Sequence, residues 1–254
     1  MVHQSLLTTE VPIDRIPLLR ALASNAERDH ALRPHVRLRV LSDHETVFSE
    51  GQTAEYFHFV AKGRVKLVAV AEHGRETILE LCGPGSAICI PGPTSGASYC
   101  CSAIGMEPGS EVVAVPREDV LAAVERGGEF TKSLFDAVAG RCMRMCQRVS
   151  EMAAGQVEQR LARLILDMAG PPELAVPNAN AGHDGSSTLR IPVRLTRQDL
   201  ADLCGTSLET AIRVMSRWTK ERLIEREGRA IVILDPEALA RVCRQPVRRA
   251  RPTE

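Results

Sequence analysis

Apolar positions recur along this chain with two different periods, and the switches between them divide it into parts. Residues 1–30 hold one short amphipathic pattern, with Ile16, Leu18, Leu19 and Leu22 as its apolar positions. From about Arg37 short β-branched runs alternate with glycine, at Gly51, Gly63, Gly74, Gly85 and Gly96, separated by 12, 11, 11 and 11 residues. That spacing suits turns between short strands of a sandwich or barrel, and predicts strands near Phe57–Ala61, Val65–Ala71, Thr77–Leu81 and Val112–Val115. Helical spacing resumes near Arg117–Arg126 and then runs from Phe130 to Met168. Within that run Phe135, Val138, Cys142, Met145, Val149 and Met152 follow at intervals of 3, 4, 3, 4 and 3. Such a heptad seam requires a partner helix.

Residues 170–190, GPPELAVPNANAGHDGSSTLR, have no periodicity and read as a loop or linker. Beyond them lie two short helices and a hairpin. Thr196 caps the first helix with Asp199 at its third position, Leu200 and Leu203 follow, and Gly205 ends it. Thr206 to Glu209 has the form of a capping box opening the second helix. There Ala211, Ile212, Met215 and Trp218 face the first helix, leaving Glu209, Thr210, Arg213, Ser216 and Arg217 outside. Glu227-Gly228 reads as a turn between strands at 223–226 and 230–234. A helix-turn-helix with a wing accounts for the whole stretch. The last ten residues, 245–254, form a polar tail whose Arg248, Arg249 and Arg251 are candidates for phosphate.

The 254 residues carry no net charge, so the total says nothing about a nucleic-acid partner. The distribution says more. Residues 191–254 hold 13 Lys+Arg against 9 Asp+Glu, a balance of +4, leaving −4 for the rest. No apolar run reaches the roughly 18 residues that span a bilayer, and the N-terminus lacks a signal peptide's basic start and apolar core. We therefore expect a cytoplasmic protein, whose cysteines stay reduced.

The stretch TRQDLADLCGTSLETAIRVMSRWTKERLIEREGRAIVI resembles the winged helix-turn-helix of the Crp–Fnr transcription regulators, and the likeness extends over roughly Phe48 to Leu234. The resemblance implies an α+β chain: an N-terminal double-stranded β-helix (a β-roll or jelly roll) as sensor over 1–128, and a long dimerisation helix over 129–169. A linker at 170–190, a winged helix-turn-helix DNA-binding domain at 191–244 and a disordered tail would follow. It implies a homodimer on a roughly palindromic double-stranded DNA site, and a contact with RNA polymerase if the protein activates.

In that family the second helix enters the major groove, and Glu209 and Arg213 match the residues that read base edges. The chemistry agrees, since arginine pairs with guanine O6 and N7 and a carboxylate accepts from cytosine N4. Leu208 stands where the cyclic-AMP-receptor branch often has arginine, and Ile212 where the Fnr branch has serine. Leu208 is a candidate for a thymine methyl, and the half-site should match neither branch. Arg197, Gln198, Ser207, Thr210, Ser216 and Arg217 are the candidates for phosphate contacts.

The sensor departs from the cyclic-nucleotide pattern. Cys89-Ile90 fills the Gly-Glu position, Cys100-Cys101 the Arg-Ser position, and no cation lies between Arg75 and Arg117. A buried phosphate without a cation is costly, which argues against cyclic AMP. On the same alignment Cys89, Cys100, Cys101, Cys142 and Cys146 converge on one pocket. An iron–sulfur cluster, which takes four thiolates from one subunit or across the dimer, is the first expectation. A thiol switch pairing Cys100 or Cys101 with Cys142 or Cys146 is the second, and haem on Cys, or on His58 or His73, the third. The Fnr branch's own N-terminal cysteine group is absent, since no cysteine precedes Cys82. A β-roll oxygenase would need a His-x-His cluster that the seven histidines do not form, so no enzyme is expected. A regulatory subunit without DNA binding is argued against by the 196–234 segment.

Overall fold

A computed structural model describes all residues except 1–12, 25–29, 31, 71–75, 91–95, 155, 170–187, 192–194, 228–229 and 245–254. The chain divides into two units, 1–143 and 144–254. In the first, a turn of 3-10 helix at Ile13–Arg15 leads into α1 (Pro17–Leu22). Seven strands follow: β1 (Arg37–Leu41), β2 (Thr46–Phe48), β3 (Tyr56–Lys62), β4 (Val65–Val70), β5 (Glu76–Cys82), β6 (Ser102–Gly105) and β7 (Ser110–Pro116). They form two antiparallel sheets, ordered β1-β7-β3 and β2-β6-β4-β5. Each strand anticipated from the glycine spacing is present to within two residues at either end.

Strand alternation explains why β3 reads as a continuous apolar run. Phe57 and Phe59, with Val113 and Val115 of β7, pack against Ile16, Leu18 and Leu19 and against α2 (Arg117–Arg126). Val60 and Val112, on the other face, join Leu41, Phe48, Val65, Leu67 and Ile88 between the sheets. Both faces of that sheet are thus covered. Gly63 shows how tightly the strands turn: its φ is +74°, and a Cβ there would lie 2.3 Å from Ser110 Oγ.

The helical run anticipated over 130–168 is two helices, α3 (Glu129–Ala154) and α4 (Val157–Ala169). Gly155, a poor helix residue, stands between them in sequence, and Gln159 Oε1 accepts the Gln156 backbone N–H at 3.2 Å to cap the new start.

The second unit is built around α5 (Arg197–Leu203) and α6 (Leu208–Lys220). Thr196 and Asp199 close a reciprocal capping box on α5, Thr196 Oγ1 accepting Asp199 N–H at 3.0 Å and Asp199 Oδ2 accepting Thr196 N–H at 2.9 Å. Gly205, at φ +58°, makes the turn. The orphan carbonyls at the end of α5 are met by guanidinium groups. Arg148 donates to Leu203 O at 2.8 Å and Arg160 to Cys204 O at 2.9 Å. The cap of α6 falls one residue later than the capping-box pattern suggested. Thr206 N–H is spent on Ala201 O, and Ser207 Oγ accepts Thr210 N–H. A three-stranded sheet ordered β8-β10-β9 forms the wing, from β8 (Leu189–Arg190), β9 (Ile224–Glu227) and β10 (Ala230–Ile233). β8 takes the last two residues of the anticipated linker into this sheet. Helix α7 (Pro236–Arg244) packs on α4, and Leu239 and Ile165 are both fully buried. The remainder of the linker and the arginine-bearing tail lie outside the described residues.

Candidate nucleic-acid interface and thiol cluster

Helix α6 has one apolar and one polar face. Ala211, Val214, Met215 and Trp218 are buried, so Val214 belongs to the core stripe, whereas Ile212 is only half-buried. Trp218 donates its indole N–H to Glu158 Oε1 at 3.0 Å, and the same oxygen pairs with Arg217. Arg217 therefore already has a structural partner on α4, although its side chain is half exposed.

Glu209 and Arg213 stand one turn apart on the opposite, exposed face. The shift of the cap to Ser207 puts Glu209 second in the helix, where it has no capping duty. Neither side chain has a hydrogen-bond or ion-pair partner among the described residues, and they do not pair with each other. Leu208, 40% exposed, precedes them. Ser207 and Ser216 are exposed and Thr210 half-buried, with Ser207 Oγ donating to Thr210 Oγ1 at 2.9 Å. Arg197 and Gln198 are exposed on α5, and Gln198 donates to Asp202 at 2.8 Å. Arg226 of β9, which the pattern did not single out, reaches Leu195 O at 3.5 Å. Burial first and the charge of Arg197 second press its pKa below the ordinary arginine value.

The seam on α3 is exposed at most of its length. Phe135 is 72% exposed, Val138 42% and Val149 65%, Cys142 is exposed and Met145 half-buried; the side chain of Met152 lies outside the described residues.

The cysteines separate into two groups. Cys89, Cys100 and Cys101 converge, their three sulfur atoms lying within 4.8 Å of one another. Cys89 and Cys101 are buried in the core between the two sheets and Cys100 is exposed. Cys142 and Cys146 are both exposed on α3 and do not join this group, so the anticipated five-thiol pocket is a three-thiol cluster. The physical reason is the face of α3. Arg141, one residue before Cys142 and so about 100° around the helix, is the side chain that reaches the strands. Its guanidinium pairs with Glu80 and donates to Ile88 O at 3.0 Å. The count of cations between Arg75 and Arg117 missed it because it comes from a distant helix.

Hydrogen bonding sets the cluster's electrostatics. The Cys101 thiol donates to Cys89 sulfur and, with further help from Cys100 and the charge of Arg141, brings the Cys89 pKa down to about 6 against its own burial. The same hydrogen bond, then burial, pushes Cys101 up, while burial first and Cys89 second raise Cys100. Cys89 is the thiolate of the three. His58 is buried among Phe48, Tyr56 and Tyr99, its Nδ1 lying 3.4 Å from Tyr99 Oη. Burial lowers its pKa to about 4, the behaviour of a neutral core histidine. His73 lies outside the described residues.

Comparison with known proteins gives concordant matches. Residues 159–242 match the Crp-like helix-turn-helix domain, and residues 38–126 the cyclic nucleotide-binding domain. The CRP-like cAMP-activated global transcriptional regulator of Mycobacterium tuberculosis is 26% identical over 204 residues, 78% of this chain and 84% of its own. The cAMP-activated global transcriptional regulator CRP of Escherichia coli O157:H7 is 23% identical over 199 residues, 78% of this chain and 90% of its own. Among solved structures, FixK2 from Bradyrhizobium japonicum superposes with a TM-score of 0.69 at 22% identity, covering 84% of this chain and 99% of its own.

Proposed function

The chain belongs to the Crp–Fnr family of DNA-binding transcription regulators, which are not enzymes, and from that premise we propose that it acts as a homodimer whose grip on a roughly palindromic duplex is governed by the Cys89–Cys100–Cys101 cluster. The observation that carries the DNA half is the exposed pair Glu209 and Arg213 on α6, without a side-chain partner among the described residues. Two opposite charges four residues apart that leave each other unpaired are poised for external partners, and guanine and cytosine edges supply them. Leu208 extends this row toward a thymine methyl. Ser207, Thr210, Ser216, Arg197 and Gln198 flank it for phosphate, while Arg217 would first have to leave Glu158. The seam Phe135, Val138, Cys142, Met145, Val149 and Met152 packs against a second copy and sets the two reading helices on successive half-sites. Such a protein works beside the chromosome, in the cytoplasm; a contact with RNA polymerase goes with activation.

For the sensor half, a four-thiolate iron–sulfur cluster held within one subunit does not fit, because the described residues of one chain bring together three sulfurs and no fourth donor. His58 is buried among aromatic rings and stays neutral there, which favours a core role over a haem ligand. The three thiols do support thiol chemistry, and the partner of the switch changes from the α3 cysteines to Cys89. With a hydroperoxide as oxidant, the Cys89 thiolate attacks the peroxide oxygen, giving a sulfenic acid and releasing hydroxide or alkoxide. The Cys101 thiol then displaces that oxygen as water to form the disulfide. Cyclic AMP, named for the relatives above, is disfavoured here: Arg141 is committed to Glu80 and Ile88, and residues 76–116 hold no cation. The signal reaches DNA by favouring one of two dimer states. Fluorescence anisotropy on upstream duplexes, with reductant or with peroxide, tests this. We expect Kd to change on oxidation and to stop changing in Cys89→Ser; an affinity indifferent to oxidation removes the thiol switch.

A further inference from the structure

The thiol cluster has a composition that a redox pair alone does not require. Three sulfurs approach one another, and the group contains no carboxylate and no imidazole. Donors of this softness select thiophilic ions over magnesium, calcium or manganese. The size is suitable too. Metal–sulfur bonds of about 2.3 Å hold sulfurs about 3.8 Å apart, so sulfurs within 4.8 Å need close by no more than about an ångström. Access is one-sided: Cys100 is exposed and leads to Cys89 and Cys101, which are buried.

Charge then selects among soft ions. Three thiolates around a monovalent ion leave a charge of −2, around a divalent ion −1, and around a trivalent centre zero. Two of these sulfurs sit in the apolar core beside Ile88 and Val60, where a residual charge is costly without a counter-charge. Arg141, whose charge helps lower the Cys89 pKa, supplies only part of one, because it is shared with Glu80. A neutral three-sulfur product is the one that needs no further counter-charge.

Resting on the cysteine-controlled regulator described above, we propose that Cys89, Cys100 and Cys101 form a three-coordinate site for a trivalent thiophilic metalloid of the arsenite type. The exchange is balanced and involves no redox step. Arsenous acid, As(OH)3, and three thiols give As(SR)3 and three waters; each As–O bond is replaced by As–S, and each thiol proton leaves on the departing hydroxide. A trivalent centre with one lone pair wants three ligands and no fourth, which is the donor set present. The metalloid is thus an effector that binds where a four-ligand metal would remain incomplete.

Sodium arsenite titrated into the reduced full-length dimer tests the site. Sulfur-to-arsenic charge-transfer absorbance and arsenic X-ray absorption should report one arsenic per chain with three sulfur neighbours. Cys89→Ser, Cys100→Ser and Cys101→Ser should each weaken binding on the order of 100-fold or more, since even outer-shell losses cost metal sites about 10–100-fold. Cys146→Ser should bind as the parent does. Helical circular dichroism shows that each variant is folded. No binding by the folded parent, a two-sulfur site, or a cluster variant with parental affinity overturns the proposal, as does displacement of arsenic by equimolar zinc(II). DNA affinity is read separately on the same samples. If arsenic binds through three sulfurs and Kd for DNA is unmoved, the site stands and the cysteine-controlled regulator falls.

Discussion

Replacing Arg213 with alanine separates DNA reading from every structural role on α6. The side chain is exposed and has no partner among the described residues, so the change should leave stability within about 0.5 kcal/mol of the parent. On DNA it removes one bidentate base interaction per half-site, about 1–3 kcal/mol. A two-fold dimer is affected twice, about 2–6 kcal/mol, which is roughly 30-fold to 10⁴-fold in discrimination. The assay is fluorescence anisotropy on a duplex selected from random sequence and on a scrambled duplex of equal length, both at one fixed salt concentration. Affinity for the selected duplex should collapse towards that for the scrambled one, which itself changes little. Arg197→Ala should behave differently, weakening both duplexes alike and lowering the salt slope by about 0.9 for each phosphate it no longer neutralises. Equal weakening on both duplexes for Arg213→Ala, or a drop in melting temperature, would refute the assignment of α6 as the reading helix.

Other perturbations address the remaining parts. Phe135→Glu puts a charge at a seam position that is 72% exposed; sedimentation should show monomer in place of dimer, with secondary structure intact, and an unchanged dimer would move the interface elsewhere. Trp218→Ala removes a fully buried ring and the hydrogen bond to Glu158, and should cost about 3–5 kcal/mol in denaturant unfolding. His58 titrates near 4 when folded and near 6.5 when unfolded. The unfolded chain therefore binds more protons between those values, and stability should fall as pH drops through that window; His58→Gln should flatten this limb. Ultraviolet thiolate absorbance should show a step near pH 6 that appears as pH rises and is missing in Cys89→Ser.

Much of this protein is local and so is visible in its one-dimensional pattern. Turn glycines at fixed intervals, the alternation in β3, the Thr196–Asp199 capping box and the Gly205 turn each involve residues a few positions apart, and short-range sterics and hydrogen bonds determine them. The exposed apolar residues Phe135, Val138 and Val149 on α3 stand out for the same reason, since they recur along one helix. What depended on tertiary structure was any choice among neighbours distant in sequence. Thr206 resembles a cap until its N–H is committed to Ala201, which moves the cap to Ser207 and releases Glu209. Five cysteines look equivalent until α3 turns Arg141 toward Ile88 and Glu80 and leaves Cys142 exposed. Arg226 acquires meaning only when the wing brings it into the field of Arg197. Periodicity decides which face of an element is apolar, whereas which side chains share a site depends on how sheets and helices pack.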